Sequence, residues 1–563
     1  MKISPISRIL FIIVLLCLSF SVSARVFYIS PNGNDITGDG SNISPWKSLA
    51  NATNKVKTPG DTIYLKAGVY NETIASKLAV GVSVIGTGNS SVITSTLLVT
   101  EWNPIIDMRS ASLADGNQSI SYLKFDGDNL TAAMAVWISR RNNVVIHHCV
   151  FVDFHYTGIY WTGDGGTETT PPINYVKGSK FYNNIMTNCA AYTNAARGAL
   201  NIGGHEGMLI YENNISQTGR KPGTNGWPIK IWPNGGWVKG LKIFNNVLFK
   251  DDTSLWDFCI EGNWIFGIEI YNNIITGSID LNHVSKNSYE YGAYIHNNTL
   301  GPQTSSVSFL KGIILEWDQC DIVIRYNHFR NLYCGIHYTP RDSSKIMNQE
   351  ISYNLFDNIG NNGGGWGIIR LWEDTERFIL GTFNIYNNIF YAFESNPVYY
   401  GVGIGGYVNG NEINIINNIF VNIGYYWFYG KSGDNLSTLN IKNNILFNNV
   451  HRNNIKLDGT PLNYSNTGNK STNPDFDSKQ YFHPKSDSPS IDAGINISGL
   501  AFDLDGISIG NPPNIGCYET ISDNQSNKML KFPNFFKIGL FMLLFLGILA
   551  LFFLKRRNFS NND

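Results

Sequence analysis

The chain has little charge and few helix formers. Only 15% of its 563 residues are Asp, Glu, Lys or Arg, and away from the ends no long run of Ala, Glu, Lys and Leu occurs. That excludes a helical bundle or coiled coil, which are built from such runs. The formal net charge is −1, with Lys and Arg scattered singly among the acids. The chain therefore has neither the basic face of a nucleic-acid binder nor a funnel for polyanions, and any anionic ligand must be met locally. Cysteine is sparse. Besides Cys17 there are Cys149, Cys189, Cys259, Cys320, Cys334 and Cys517. Their spacing is irregular and forms no paired metal-ligand motif, so they read mostly as small buried hydrophobes.

Long apolar runs occur only at the ends. Lys2 and Arg8, the run from Ile9 to Leu18, and the small-residue site Val22-Ser23-Ala24 make residues 1–24 a signal peptide. Cys17 lacks the preceding small residue of a lipoprotein signal. A linker over 521–534 leads to an expected anchor at 535–557, where 17 apolar residues, Ile538 to Leu554, meet Lys555, Arg556 and Arg557. This is the short limit for a transmembrane helix with a cytoplasmic basic tail; a sorting signal removed after export is the alternative. On either reading the body, residues 25–520, is exported, stands extracellular or periplasmic, and is expected to be monomeric.

What is abundant points to strands and tight turns: 55 Gly, 29 Tyr, 32 Phe and many Asn. A short phrase recurs, apolar or aromatic, then Asn-Asn, then apolar. It reads FYNNI at Phe181, IYENNI at Ile210, IFNNV at Ile243, IYNNI at Ile270, IHNNT at Ile295, IYNNI at Ile385, IINNI at Ile415 and IKNNI at Ile441, with degenerate copies at Ile324 and Ile351. The first Asn of each copy falls at 183, 213, 245, 272, 297, 327, 354, 387, 417 and 443, so nine intervals span 260 residues at a mean near 29. A period of that size marks a stacked repeat, and units of short period-2 strands without a helical stripe select a β-solenoid. Weaker copies at Val82, Ile120 and Val144 extend the array to about twelve to fourteen coils. The fold class is all-β, a right-handed parallel β-helix.

Two flanking segments carry a family resemblance. Val26 to Ile74, with a Gly/Asp-rich loop, an amphipathic helix at about Trp46 to Val56 and a first coil from Gly60, is similar to the N-terminal cap (25–75) of secreted right-handed parallel β-helix proteins of the pectate-lyase-like group. Asn473 to Glu519 resembles its C-terminal closing region, a cap over 470–520. The group includes polysaccharide lyases, glycoside hydrolases and non-catalytic binders, so the resemblance implies a fold and leaves the reaction open. The pectin-hydrolase signatures are absent; Gly204-His205-Glu206 falls short of Gly-His-Gly.

One strand per coil precedes each Asn phrase. With its Ile residues turned inward, the outward set is Lys230, Trp232, Glu261, Asp280, Asn282, Glu316, His337, Arg370 and Trp372. Charges of both signs flanked by Trp227, Trp232, Trp317 and Trp372 suit a polysaccharide, whose rings pack on aromatic faces. For a uronan lyase, Lys230 or His337 could be the base. Arg370, or calcium held by Asp257, Glu261 and Asp280, could neutralise the substrate carboxylate. For a hydrolase, the carboxylate pair could be Glu261 with Asp280, or Glu316 with Asp318, Glu373 or Asp374. A non-catalytic surface-displayed binding or adhesion module is the competing class. His147 and His148, as successive strand residues, are expected on opposite faces and so unable to share a metal.

Overall fold

The computed structural model describes residues 24–520 apart from 98–101, 191–196, 219–225, 252–257, 304–309, 342, 361–366, 393–397, 410–411, 433–436, 450–454, 459–460, 462 and 480; side chains at 372–377, 406–409, 431–432 and 458 are also outside the description. Residues 1–23 of the expected signal peptide, the expected linker and the apolar run Ile538 to Leu554 lie outside the described residues. Among those described, no helix is long and apolar enough to cross a membrane.

Short strands stack in parallel into three faces, so that each coil is a rounded triangle. One coil shows the plan: Trp227–Ile231 on the first face, Lys242–Phe244 on the second and Val247–Lys250 on the third. The third face alone stacks fourteen short strands, the upper end of the expected coil count. The period-2 pattern turns one apolar residue in two toward the axis, where Ile229, Ile231, Ile243 and Leu248 are buried to within 1%. The next coil puts Ile260, Ile270 and Ile275 above them. On the third face Phe329, Phe356, Phe390 and Phe420 stack at 4.5, 4.9 and 4.7 Å between ring centroids, close to one strand spacing.

The recurring Asn phrase is the corner between the second and third faces. Its first residue takes a left-handed backbone, with φ of 52° at Asn183, 55° at Asn245 and 53° at Asn272. Its second residue is buried and forms a ladder running 184, 213, 246, 273, 298, 327, 354, 388, 418 and 444, which ends on the half-exposed Asn469. In each rung the side-chain oxygen of one Asn accepts from both the backbone N–H and the side-chain amide of the Asn one coil before, as Asn246 Oδ1 does from Asn213 at 3.0 Å each. This corrects the phase expected at Asn213, Asn327 and Asn354. They belong with the second Asn, and Glu212, Tyr326 and Tyr353 take the left-handed place, with φ of 55°, 59° and 51°. The corner needs one special residue, the buried amide; its neighbour can be any residue whose left-handed cost the stack offsets.

The N-terminal cap helix is Leu49–Lys55, shorter than expected because Trp46 pairs with Ile29 instead and stacks on Phe27 at 5.6 Å. Ser48 caps it, and the Glu72 carboxylate accepts from the Leu49 and Ala50 N–H groups at 2.8 and 3.0 Å, anchoring helix to coil. The C-terminal segment runs as a strip along the Asn corner of the later coils. Asn387 donates to Asn514 O at 2.9 Å, Asn417 to Ile495 O at 2.8 Å and Asn443 to Ala493 O at 3.0 Å, while Ile515, Cys517 and Tyr518 pack on Leu355, Ile389, Ile419 and Ile445. No disulfide links the six described cysteines to one another, and all but Cys320 are buried. His147 and His148 do not point apart. His148 sits at the left-handed corner, and its ring meets His147 with the two Nδ1 atoms 2.8 Å from each other.

Candidate functional site

On the first face the residues between the inward pairs form outward rows, one residue per coil. The central row reads Asp107, Trp137, Tyr160, Asn201, Lys230, Glu261, Asp280, Ile314, His337, Arg370. Sequence reasoning placed Lys230, Glu261, Asp280, His337 and Arg370 on this face, and the structure aligns them in one row. It places Glu316 differently. Ile314 is the rung between Asp280 and His337, and Glu316 falls in the neighbouring row with Asn282 and Thr339. Alternation fixed which residues face outward, but only the loop lengths fix which of two outward residues stands opposite Asp280. With rungs about 4.8 Å apart, Lys230 to Asp280 spans about 10 Å and Lys230 to Arg370 about 24 Å, so this is a track along the axis rather than one compact cluster.

Although outside the solenoid core, the row is shielded. Lys230 is 5% exposed, Glu261 8%, Asp280 3% and His337 9%. Trp227, Phe258 and Ile314 form a small buried apolar group beside them. Trp227, expected to be a sugar platform, is thereby covered; its ring centre lies 4.0 Å from Lys230 Nζ, and the ring of Trp232 lies at 4.8 Å. The Trp232 indole donates to Glu168 Oε1 at 3.2 Å, from a loop of an earlier coil. Asn282 is buried and donates to Gly262 O at 3.3 Å. Trp317 is 42% exposed but lies off the row. It ends a corner stack of Trp237, Trp264, His283 and Trp317, with ring centroids 4.5, 4.2 and 5.2 Å apart. The side chains of Trp372, Glu373 and Asp374, and all of Asp257, lie outside the described residues.

The charges are tuned by burial. Lys230 Nζ stands 2.5 Å from Glu261 Oε2. Burial pulls the ammonium below its ordinary pKa and pushes the Glu261 carboxyl above its own, and the ion pair offsets part of each penalty. Asp280 is pushed well above its ordinary carboxylate value, by burial first and then by Glu316 and Glu261, which favours its protonated form; its Oδ1 is buried with no hydrogen-bond partner among the described residues. His337 is held well below its ordinary value by burial and by Lys311 and Arg370, so it is a neutral imidazole, and its Nε2 likewise lacks a partner among them. Two orphaned polar atoms in one shielded row are unusual in a finished protein surface. Among the described residues no three His, Cys, Asp or Glu side chains converge as metal ligands, and the cation that Glu261 meets among them is the Lys230 ammonium.

Counting back from the Asn phrase in earlier coils, through MAVWIS and GIYWT, would have extended the row to Trp137 and Tyr160; these and Lys311 were missed.

No family profile and no curated protein matches the chain. The solved structures to which the chain is similar are varied. They include the PL6 family alginate lyase AlyGC, at 13% identity and TM-score 0.45 over 88% of this chain and 59% of that one. PfbA, a surface adhesin of Streptococcus pneumoniae, matches at 13% identity and TM-score 0.38 over 67% and 86% of the two chains. The GH136 lacto-N-biosidase from Eubacterium ramulus matches at 10% and 0.31 over 79% and 67%. A lyase, an adhesin and a glycosidase stand side by side here, and none of these likenesses selects an activity.

Proposed function

We propose that the protein is a polysaccharide lyase that binds a uronic-acid chain along the central row and cleaves it by β-elimination. The observation that carries the reading is the adjacent pair His337 and Arg370, a neutral imidazole with an unpartnered Nε2 one rung from a guanidinium. Elimination needs a base for the proton beside the sugar carboxylate and a cation to make that proton acidic. His337 Nε2 takes the proton, and Arg370, with Lys311 nearby, neutralises the carboxylate. The C–H electrons form the new double bond, the glycosidic C–O bond breaks, and protonated Asp280 donates to the leaving oxygen. Lys230 is the weaker candidate base, because its ammonium would first have to leave Glu261. The Lys230–Glu261 pair instead lines the track beside Asp280.

A second reading has its own support. Glu261 and Asp280, whose protonated form burial favours, occupy adjacent rungs about 4.8 Å apart, near the carboxyl separation of a retaining glycosidase. One experiment separates the readings. The purified protein is incubated with uronic-acid and neutral polysaccharides, with and without calcium, while the ultraviolet absorbance of unsaturated uronate and the reducing ends are followed. The lyase reading expects both signals to rise on a uronan and His337→Ala to lower the rate by about 10²–10⁴-fold. Reducing ends alone establish the hydrolase. Binding without either signal makes the protein a non-catalytic module, and such a result on every uronan sinks the lyase.

A further inference from the structure

Toward the N-terminal cap the row changes character. Trp137 and Tyr160 occupy its next rungs beyond Asn201, and Trp102 packs across both, with ring centroids 6.1 Å from Trp137 and 5.4 Å from Tyr160. Tyr156 stacks on the other side of Trp102 at 5.7 Å, with planes 7° apart. None of these rings belongs to the solenoid core, and all four are only half-buried. Two cations stand on them. Arg109 lies 4.2 Å over Trp137, but Asp107 takes it in a two-pronged pair at 2.9 and 2.7 Å, so its charge is satisfied. Arg197 lies 4.1 Å over Trp102 and 5.3 Å over Tyr156. Among the described residues it has no carboxylate partner, and its Nε is buried with no acceptor.

A guanidinium held against rings, with no carboxylate partner among the described residues, is poised for an anion that comes from outside. Its surroundings limit what that anion is attached to. The neighbouring aromatic surface suits the apolar face of a pyranose ring and offers nothing to a compact inorganic ion. Tyr160 lies two rungs from Lys230 and Trp137 three, about 10 and 14 Å along the track, so a chain lying on the reacting row would reach the cluster without a bend.

We propose that the Trp102, Tyr156, Tyr160 and Arg197 cluster is a distal saccharide subsite for a carboxylated sugar of the same chain, with Arg197 reading the carboxylate and the rings carrying the pyranose. This rests on the polysaccharide reading above but not on the chemistry of His337. The subsite gives the track its polarity, because one end grips an acidic residue while the other does the cleaving.

The test is direct binding to the full chain carrying His337→Ala, so that ligand is not consumed. The probes are an acidic hexa-uronate and the same oligomer with its carboxyls reduced to alcohols. Arg197→Ala, added to this background, is expected to weaken the acidic oligomer about tenfold or more and leave the reduced one unchanged, with Arg197→Lys between. Trp102→Ala is expected to weaken both. Melting curves check that each variant is folded. If Arg197→Ala and Trp102→Ala bind the acidic oligomer like their parent, the subsite is refuted while the track survives. If the parent binds neither oligomer, the track reading and the subsite fall together.

Discussion

At the scale of single residues, the buried amide at the corner is the costliest position to change. Asn298 accepts from the Asn273 N–H and side-chain amide and donates to Asn327 Oδ1 and Ile270 O, all within 3.0 Å. Asn298→Ala would orphan the two donors of Asn273 and a carbonyl, so a loss of about 2–4 kcal/mol is expected in denaturant melts. Asn469, at the half-exposed end of the ladder, should lose less than half as much on the same change. His205 gives a pH signature. It is fully buried, and burial alone lowers its pKa from 6.5 to about 3. The unfolded chain therefore binds this proton more readily than the native one. Stability contributed by the neutral ring is complete above about pH 6.5 and is lost as pH falls toward 3, by up to about 5 kcal/mol. Melting temperature against pH should slope less steeply over that window in His205→Gln, and an unchanged slope would remove His205 from the account. The corner was legible because an Asn pair near a fixed period is a strong local signal. Its phase slipped at Glu212, Tyr326 and Tyr353 because residues without turn propensity can be forced left-handed when the adjacent amide is bonded above and below.

At the scale of strands, the first face carries charge where a strand surface normally carries Thr and Ser. Removing one member of the Lys230–Glu261 pair leaves the other buried and uncompensated, so Glu261→Gln should cost about 3–5 kcal/mol. Glu261→Leu combined with Lys230→Met should recover most of that, because an apolar pair of similar volume needs no solvation. Equal melting of the single and double variants would show that the pair is not desolvated in solution. Such strands are only half legible. Parity along SIDLNH and IILEWD identified Asp280 and Glu316 as outward, yet axial alignment depends on the loops between coils, whose lengths carry no periodic signal. Ile314 was passed over because an outward Ile is invisible to a search for charge; only its contact with Trp227 and Phe258 explains it.

At the scale of the whole molecule, stability should be nearly one-dimensional, each coil resting on its neighbours. The C-terminal strip breaks that rule on one side. It bonds coils as far apart as Tyr326, whose hydroxyl donates to Phe502 O at 2.9 Å, and Asn443. The late coils are thereby tied into one unit with the strip. Replacing the buried Ile515 by Asp should detach it. Hydrogen exchange of Ile389–Ala392, Ile419–Val421 and Ile445–Phe447 is then expected to accelerate together, while Leu209–Tyr211 and Ile268–Tyr271 keep their protection. Acceleration confined to one strand would refute the tie. The strip also sets a direction in time. A chain is made from its N-terminus, so the capped early coils can stack while later ones are still being synthesised. The late coils meet their brace only when residues near 515 emerge. Until then they form an unlatched tail with a bare apolar flank, the stage of this protein's life at which a chaperone would find the most to hold.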